Sequence, residues 1–144
     1  MARLRGQLGG TLVLGAEGLV KLAGGHPAAR GRVQHAYRRG AEVVTAASTL
    51  AEVIRGGRRD VNLHRALSRV SVIPLGREQG RAAGELLGRA GLSGHRCALD
   101  ALLTVVALAQ PRPVILLTSD IADMARLTEE PGRPAGERVV VVRV

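Results

Sequence analysis

The sequence predicts an α/β fold, a three-layer α/β/α arrangement with a central parallel sheet of four to five strands. Three observations carry that expectation. Short β-branched or leucine-rich runs alternate with segments of helical periodicity along the chain, and the usual solution for that pattern is a parallel sheet with right-handed crossovers and helices on both faces. The stretch Thr11–Ala23, TLVLGAEGLVKLA, passes from four strand residues through a turn into an apolar-patterned helix, as the first strand of such a sheet would. A length of 144 residues suffices for one core and leaves no room for a second. Residues 11–144 are therefore expected to form the domain, and residues 1–10 a flexible lead.

Taken in order, the opening strand and its helix end at Gly24-Gly25-His26-Pro27. Pro27 suits the first turn of a helix running to about Arg39, because its missing N–H is no loss there. Gly40 closes that helix, and EVVT, Glu42 to Thr45, makes a second strand. Ala46 to Arg55 is predicted helical because Leu50, Val53 and Ile54 recur on one face, and Gly56-Gly57 stops it. Arg58 to Arg69 is predicted as a further helix and Val70 to Leu75 as the third strand. In the helix Arg77 to Ala90, Ala82, Ala83, Leu86 and Leu87 form one stripe. A turn at Gly91 to Gly94 precedes a strongly apolar helix, Arg96 to Ala109. Pro111 and Pro113 flank a break before the fourth strand, Val114 to Thr118. A short helix, Ile121 to Leu127, a turn at Pro131 to Gly136 and a last strand, Arg138 to Val142, complete the chain.

Composition narrows the partners. Against 12 Asp plus Glu stand 21 Lys plus Arg, a formal charge of +9, and Lys21 is the only lysine. Guanidinium forks suit phosphate, and clustered arginine is the usual footprint of nucleic-acid binding, with biased codon usage, given the abundance of alanine, glycine and valine, the lesser alternative. Tyr37 is the only aromatic residue, so a nucleic acid would be held mainly by its phosphates rather than by stacking. Cys97 stands alone, which excludes an intramolecular disulfide and fits a reducing compartment. The basic start MARLRGQ before an apolar run invites a secretory reading, but Glu17 and Lys21 interrupt the run. With no uncharged segment long enough for a bilayer, a soluble cytoplasmic protein without a membrane partner is expected. His26, His35, His64 and His95 show no metal-ligand spacing, and Cys97 has no evident base partner.

The carboxylates hold the chemistry. Asp100 lies in a helix apolar on nearly all sides, whose only polar stripe is Arg96, Asp100 and Thr104. An ionised acid in such a helix needs a cation, strong donors or a metal, and an ion pair with Arg96 one turn earlier serves as well as a metal. Glu52 is the one acid in its helix, with Arg55 at i+3 as an alternative partner. Asp120 follows the fourth strand and could serve simply as a helix N-cap, with Asp123 adding favourable charge in the first turn. All of them follow strands or sit on crossover helices, at the carboxyl edge where open α/β sheets bind ligands. Convergent carboxylates within a positive surface are what a magnesium or manganese phosphodiester site requires.

The ordered blocks LVL-x-AEGLVKLA, AASTLAEVIRGG, SGHRCALDALLTVVALA and VILLTSDIADMARL resemble the PIN-domain family, and within it the VapC-type ribonuclease toxins of toxin-antitoxin pairs, over roughly Leu12 to Val142. The resemblance implies a PIN-like domain that cleaves RNA with Mg2+ or Mn2+. Glu52, Asp100 and Asp120 would be the second, third and fourth metal-binding and catalytic acids, with Asp123 an auxiliary ligand. It further implies tRNA, rRNA or mRNA as substrate, a small cognate antitoxin and a homodimer. Arg38, Arg39, Arg55, Arg58 and Arg59 are the arginines expected to hold RNA. One position departs from the family: the first acid, an aspartate ending the opening strand, falls on Gly15. Two outcomes follow, an impaired nuclease or a catalytically inactive protein that binds RNA or an antitoxin. Glu17, two residues on, is a candidate substitute. The alternative view of Gly15–Gly18 as a phosphate turn lacks the full GxGxxG pattern and sets Glu17 against the phosphate.

Overall fold

A computed structural model describes residues 9–144. Of the expected lead, residues 1–8 lie outside the described residues, and Gly9 and Gly10 are buried. A Cβ on Gly9 would stand 2.4 Å from the Ala41 nitrogen, so only glycine lets the two segments touch.

Five strands form one sheet, β1 (Thr11–Leu14), β2 (Glu42–Ala46), β3 (Ser71–Ile73), β4 (Val114–Thr118) and β5 (Val140–Arg143). All pairings are parallel and the order is β3-β2-β1-β4-β5. The chain thus builds outward from β1 to one edge, then returns across β1 to build the other. That reversal leaves a crevice at the carboxyl ends of β1 and β4, the switch point where open sheets receive ligands.

Helices cover both faces. α1 (Ala16–Ala23), α2 (Pro27–Arg38) and α4 (Val61–Leu67) lie on one side, with Leu19, Val33, Ala36 and Leu63 packed against Leu12, Leu14, Val43 and Leu117. α5 (Arg77–Ala90), α6 (Gly94–Leu108) and α7 (Ile121–Leu127) lie on the other, where Ala83, Leu86, Ala101, Leu103, Val106, Met124 and Leu127 meet Val13, Val44, Ala46 and Leu116. Neighbouring residues of one strand, Leu12 and Val13 or Leu116 and Leu117, thereby serve opposite cores, as the two-residue period of a strand demands. The expected three-layer arrangement is the one observed. α3 (Ala47–Val53) follows β2 directly and packs against α6. Among the described residues no single helix is long and apolar enough to cross a membrane.

Most boundaries fall within a residue or two of expectation, but one predicted helix divides. Arg58 to Arg69 becomes a 3₁₀ turn, Arg58–Asp60, followed by α4. The cause is Asp60, which is buried and whose Oδ2 accepts the backbone N–H groups of Arg55 (3.0 Å) and Gly56 (2.6 Å). Its carboxylate ties the turn back to the end of α3, and these hydrogen bonds hold its pKa below the ordinary value. Gly56 and Gly57, at φ +89° and +81°, supply left-handed backbone that other residues resist. The apolar helix α6 begins two residues earlier than expected, at Gly94, and β3 and β5 are each shorter or shifted by a few residues.

Candidate metal centre

The switch point gathers acids from separate segments. Asp120 leaves β4 directly. Its N–H donates to Thr118 Oγ1 (3.0 Å), and its own Oδ1 accepts the N–H of Asp123 (3.3 Å), capping α7. The expected N-cap is therefore formed, with Asp123 in the first turn of α7. Asp100 approaches from α6, whose neighbours Cys97, Ala101, Leu103 and Thr104 are buried. One carboxylate oxygen from each of Asp100, Asp120 and Asp123 lies within 4.8 Å of the others. The Cys97 thiol donates to Asp123 Oδ2 at 3.7 Å, which fits a core cysteine rather than a nucleophile. Burial pushes that thiol's pKa up, and the two acids beside it push in the same direction.

Electrostatics mark the cluster as under-compensated. Burial, then Asp120, then Asp123, raise the Asp100 carboxyl above its usual range. Among the described residues no arginine or lysine forms a salt bridge with Asp100, Asp120, Asp123 or Glu52. The alternative partners fail for particular reasons. Arg96 is exposed on α6 and forms no ion pair with Asp100. Arg55 turns its guanidinium to backbone carbonyls, those of Ala51 (3.1 Å), Glu52 (2.8 Å) and Ile54 (2.8 Å).

Glu52 stands beside this group without joining it. Its pKa is raised by burial first and by Asp100 second, so the two carboxylates share one field, while the tight group comprises the three aspartates. On the same α3 helix, the Ser48 and Thr49 hydroxyls are buried with no hydrogen-bond partner. They precede Glu52 by four and three residues and so share its side of the helix.

The three aspartates and Glu52 are hard oxygen donors with mutual repulsion and no internal cation. That donor set fits Mg2+ or Mn2+, which take oxygen ligands and are bound through one or two carboxylates plus water and phosphate.

Gly15 completes the rim without a side chain. It caps the start of α1, with its N–H on the Leu117 carbonyl (3.0 Å) and φ −78°. That backbone suits any residue, so nothing in its conformation requires glycine. Space is tighter: a Cβ would lie 3.1 Å from the Leu117 oxygen and 3.3 Å from Leu103 Cδ2. Glu17 is not part of the aspartate group.

The architecture has solved counterparts. In the crystal structure of VapBC2 from Rickettsia felis bound to a DNA fragment from their promoter, one chain matches with a TM-score of 0.66 and 20% identity, over 94% of this chain and 99% of that one. The fold is PIN-like. No protein-family model and no curated protein matches the chain by sequence, so the likeness lies in the path of the backbone.

The PIN-like frame also separates the predicted arginines. Arg55, Arg58 and Arg59 are exposed on the turn after α3, close in sequence to Glu52. Arg59 is partly engaged, donating to Gly56 and Arg55 carbonyls at 3.3 and 3.1 Å. Arg38 and Arg39 end α2 just before β2, at the amino edge of the sheet, and Arg39 donates to the Gly9 carbonyl at 3.2 Å. A five-residue strand separates that edge from the acids, about 16 Å. Asp60, which fixes the arginine turn, is the residue that sequence reasoning missed; an acid among arginines reads as an ordinary surface charge.

Proposed function

We propose that this chain is a VapC-like, metal-dependent endoribonuclease whose activity is limited by the missing carboxylate at Gly15. The observation that carries the reading is the convergence of Asp100, Asp120 and Asp123, from α6 and the start of α7, at the switch point of a PIN-like sheet. Asp100 and Asp120 would be the principal ligands, with Glu52 and Asp123 beside them. When bound, Mg2+ or Mn2+ would polarise a phosphodiester and lower the pKa of an attacking water.

The chain's own residues do the rest. Asp120 is held rigid by capping α7 and keeps its second oxygen free for a ligand. Asp100 must lose its proton before it can hold a cation, and its raised pKa makes that loss pH-dependent. Arg55, Arg58 and Arg59 offer the flanking turn to RNA phosphates, while Arg38 and Arg39 could meet only a more distant part of the strand. Partners follow from the same reading, supported by the fold shared with VapBC2: a cognate antitoxin, a second copy of the chain, and tRNA, rRNA or mRNA as substrate, in the cytoplasm.

Calorimetric titration of Mn2+ into the chain, paired with cleavage of labelled RNA with and without chelator, tests the proposal. Asp100→Asn is expected to remove saturable binding and cleavage together. Cleavage that persists in that variant or in chelator overturns it. Gly15 favours a second reading, a PIN-like protein that binds RNA or antitoxin without cutting. Cleavage that appears only in Gly15→Asp supports the second reading; equal cleavage by both forms excludes it and also overturns the limit assigned to Gly15.

A further inference from the structure

Arg143 closes β5 at the carboxyl edge of the sheet, in register with Thr118 of β4. Side chains alternate along a strand: Val139 and Val141 pack into the core under α5, α6 and α7, and Val142 into the core under α1, α2 and α4. Arg143 therefore falls on the α6 and α7 face, the one that carries Asp100, Asp120 and Asp123. Its exposed guanidinium donates from Nη1 to the Ser119 carbonyl at 3.2 Å. The other half of that peptide group is the N–H of Asp120, which donates to Thr118 Oγ1 at 3.0 Å. A cation thus stands on the peptide that leads into a cluster acid.

Nothing among the described residues neutralises it. Arg143 is in no salt bridge there, although an aspartate follows the residue it touches, and one hydrogen bond occupies a group that carries five donors. Arginines with a settled structural role look different: Arg112 is forked on Glu130, and Arg55 spends its donors on three backbone carbonyls. Position adds a second argument. In the order β3-β2-β1-β4-β5 the crevice lies between β1 and β4, so α3 and its arginine turn, which follow β2, stand on one flank of the acids and Arg143 on the other. A strand of RNA held by its phosphates on both flanks has to cross the aspartates.

We propose that Arg143 is the phosphate contact beside the acid cluster, its free donors taking the phosphodiester of single-stranded RNA that lies across Asp100 and Asp120. A phosphodiester has two non-bridging oxygens, and the planar fork suits such an anion better than a point charge does. That this phosphate is the one to be cut rests on the ribonuclease reading; that the guanidinium holds an RNA phosphate does not. The rival role is structural, a guanidinium that only braces the turn at Ser119.

The test is fluorescence anisotropy of a 5′-labelled five-nucleotide oligouridylate with the full chain carrying Asp100→Asn, in chelator, so that nothing is cut and one repelling charge is gone. In that background Arg143→Gln keeps an amide donor for the Ser119 carbonyl and removes the charge. It should reduce the slope of log affinity against log salt by about 0.7, one phosphate no longer neutralised, and weaken binding about fivefold at 0.1 M salt. Arg143→Lys should keep the slope. With Asp100 intact, Arg143→Gln should bind Mn2+ no more weakly than the native chain in calorimetric titration. A slope that Arg143→Gln leaves unchanged overturns the proposal, and so does a loss of Mn2+ affinity in that variant, because the arginine would then act by bracing Asp120. A reduced slope in a chain that cuts no RNA would support this contact while counting against the nuclease. Native cleavage by Arg143→Gln with an unchanged slope would leave the nuclease standing and remove Arg143 from it.

Discussion

Replacing Asp100 by Asn should make the ion-free protein more stable. Asp100 shares its corner with two carboxylates whose oxygens lie within 4.8 Å. At that separation two unit charges repel by about 1 kcal/mol in water and about 3.5 kcal/mol at an effective dielectric of 20. Solvent reaches part of the cluster, so the lower end applies, and relief from both neighbours should come to about 1 to 3 kcal/mol. For a chain of this size that is a rise in Tm of roughly 3 to 10 °C. The pH dependence has a definite sign. Asp100 and Glu52 both have folded pKa values above their ordinary ones, so their penalty is full above the raised values and fades as pH falls toward the ordinary ones. The native chain should gain stability on mild acidification in chelator, and Asp100→Asn should gain less. Saturating Mn2+ at a hundredfold over its dissociation constant should add about 2.7 kcal/mol to the native chain and little to the variant, closing or reversing the gap. Calorimetric melts in chelator and in Mn2+, across pH, measure all of this. A variant equal to or less stable than the native chain in chelator would refute the repulsion argument and with it the reason for a cation.

Further outcomes follow from other sites. Gly15→Asp should fold, with a small loss of stability as the Leu117 carbonyl and Leu103 give way by a few tenths of an ångström, and should bind Mn2+ about 10- to 100-fold more tightly or more; thermal melts in chelator read the first and calorimetric titration the second. Glu130→Gln should cost about 1 to 3 kcal/mol in denaturant melts at neutral pH, because Glu130 accepts a fork from Arg112 at 2.7 and 2.8 Å and the Val139 N–H at 3.2 Å. Its pKa is lowered to about 2, so that contribution is present above the ordinary carboxylate value and disappears as pH falls toward 2. Asp60→Asn should lower the Tm and speed amide exchange at Arg55 and Gly56, whose N–H groups its carboxylate now holds.

The strands were readable because a parallel sheet buries both faces. TLVL and VILLT are continuous apolar runs with no alternation to confuse, and each lies within the sheet where expected. The acids were readable one by one, and their meeting only through the expected sheet, since Asp100 and Asp120 are joined by the order of the strands alone. Asp100 itself stood out because so apolar a helix leaves a carboxylate nothing to face but a site or a partner. Glu52 was harder, because Arg55 at i+3 offers an ordinary pairing that the structure replaces with backbone carbonyls. The arginines fall in two places that the sequence does not distinguish: Arg38 and Arg39 at the edge where strands begin, Arg55 to Arg59 on the turn beyond Glu52. Nothing in a run of basic residues shows which end of a crossover it occupies. Asp60 was lost in the same run, because its role depends on two glycine-permitted dihedral angles and a hydrogen bond back to residues already passed.

Asp120 divides its labour between two oxygens, one fastening the start of α7 and the other left over. A protein that no longer needed the left-over oxygen would still be selected to keep an Asx side chain there, or the last crossover helix would fray. Position 15 enjoys no such protection, because the turn it occupies is built equally well from glycine. If this architecture ever drifts away from catalysis, its acids should therefore disappear in a set order, with the one at the end of the central strand going first and the helix-fastening one last.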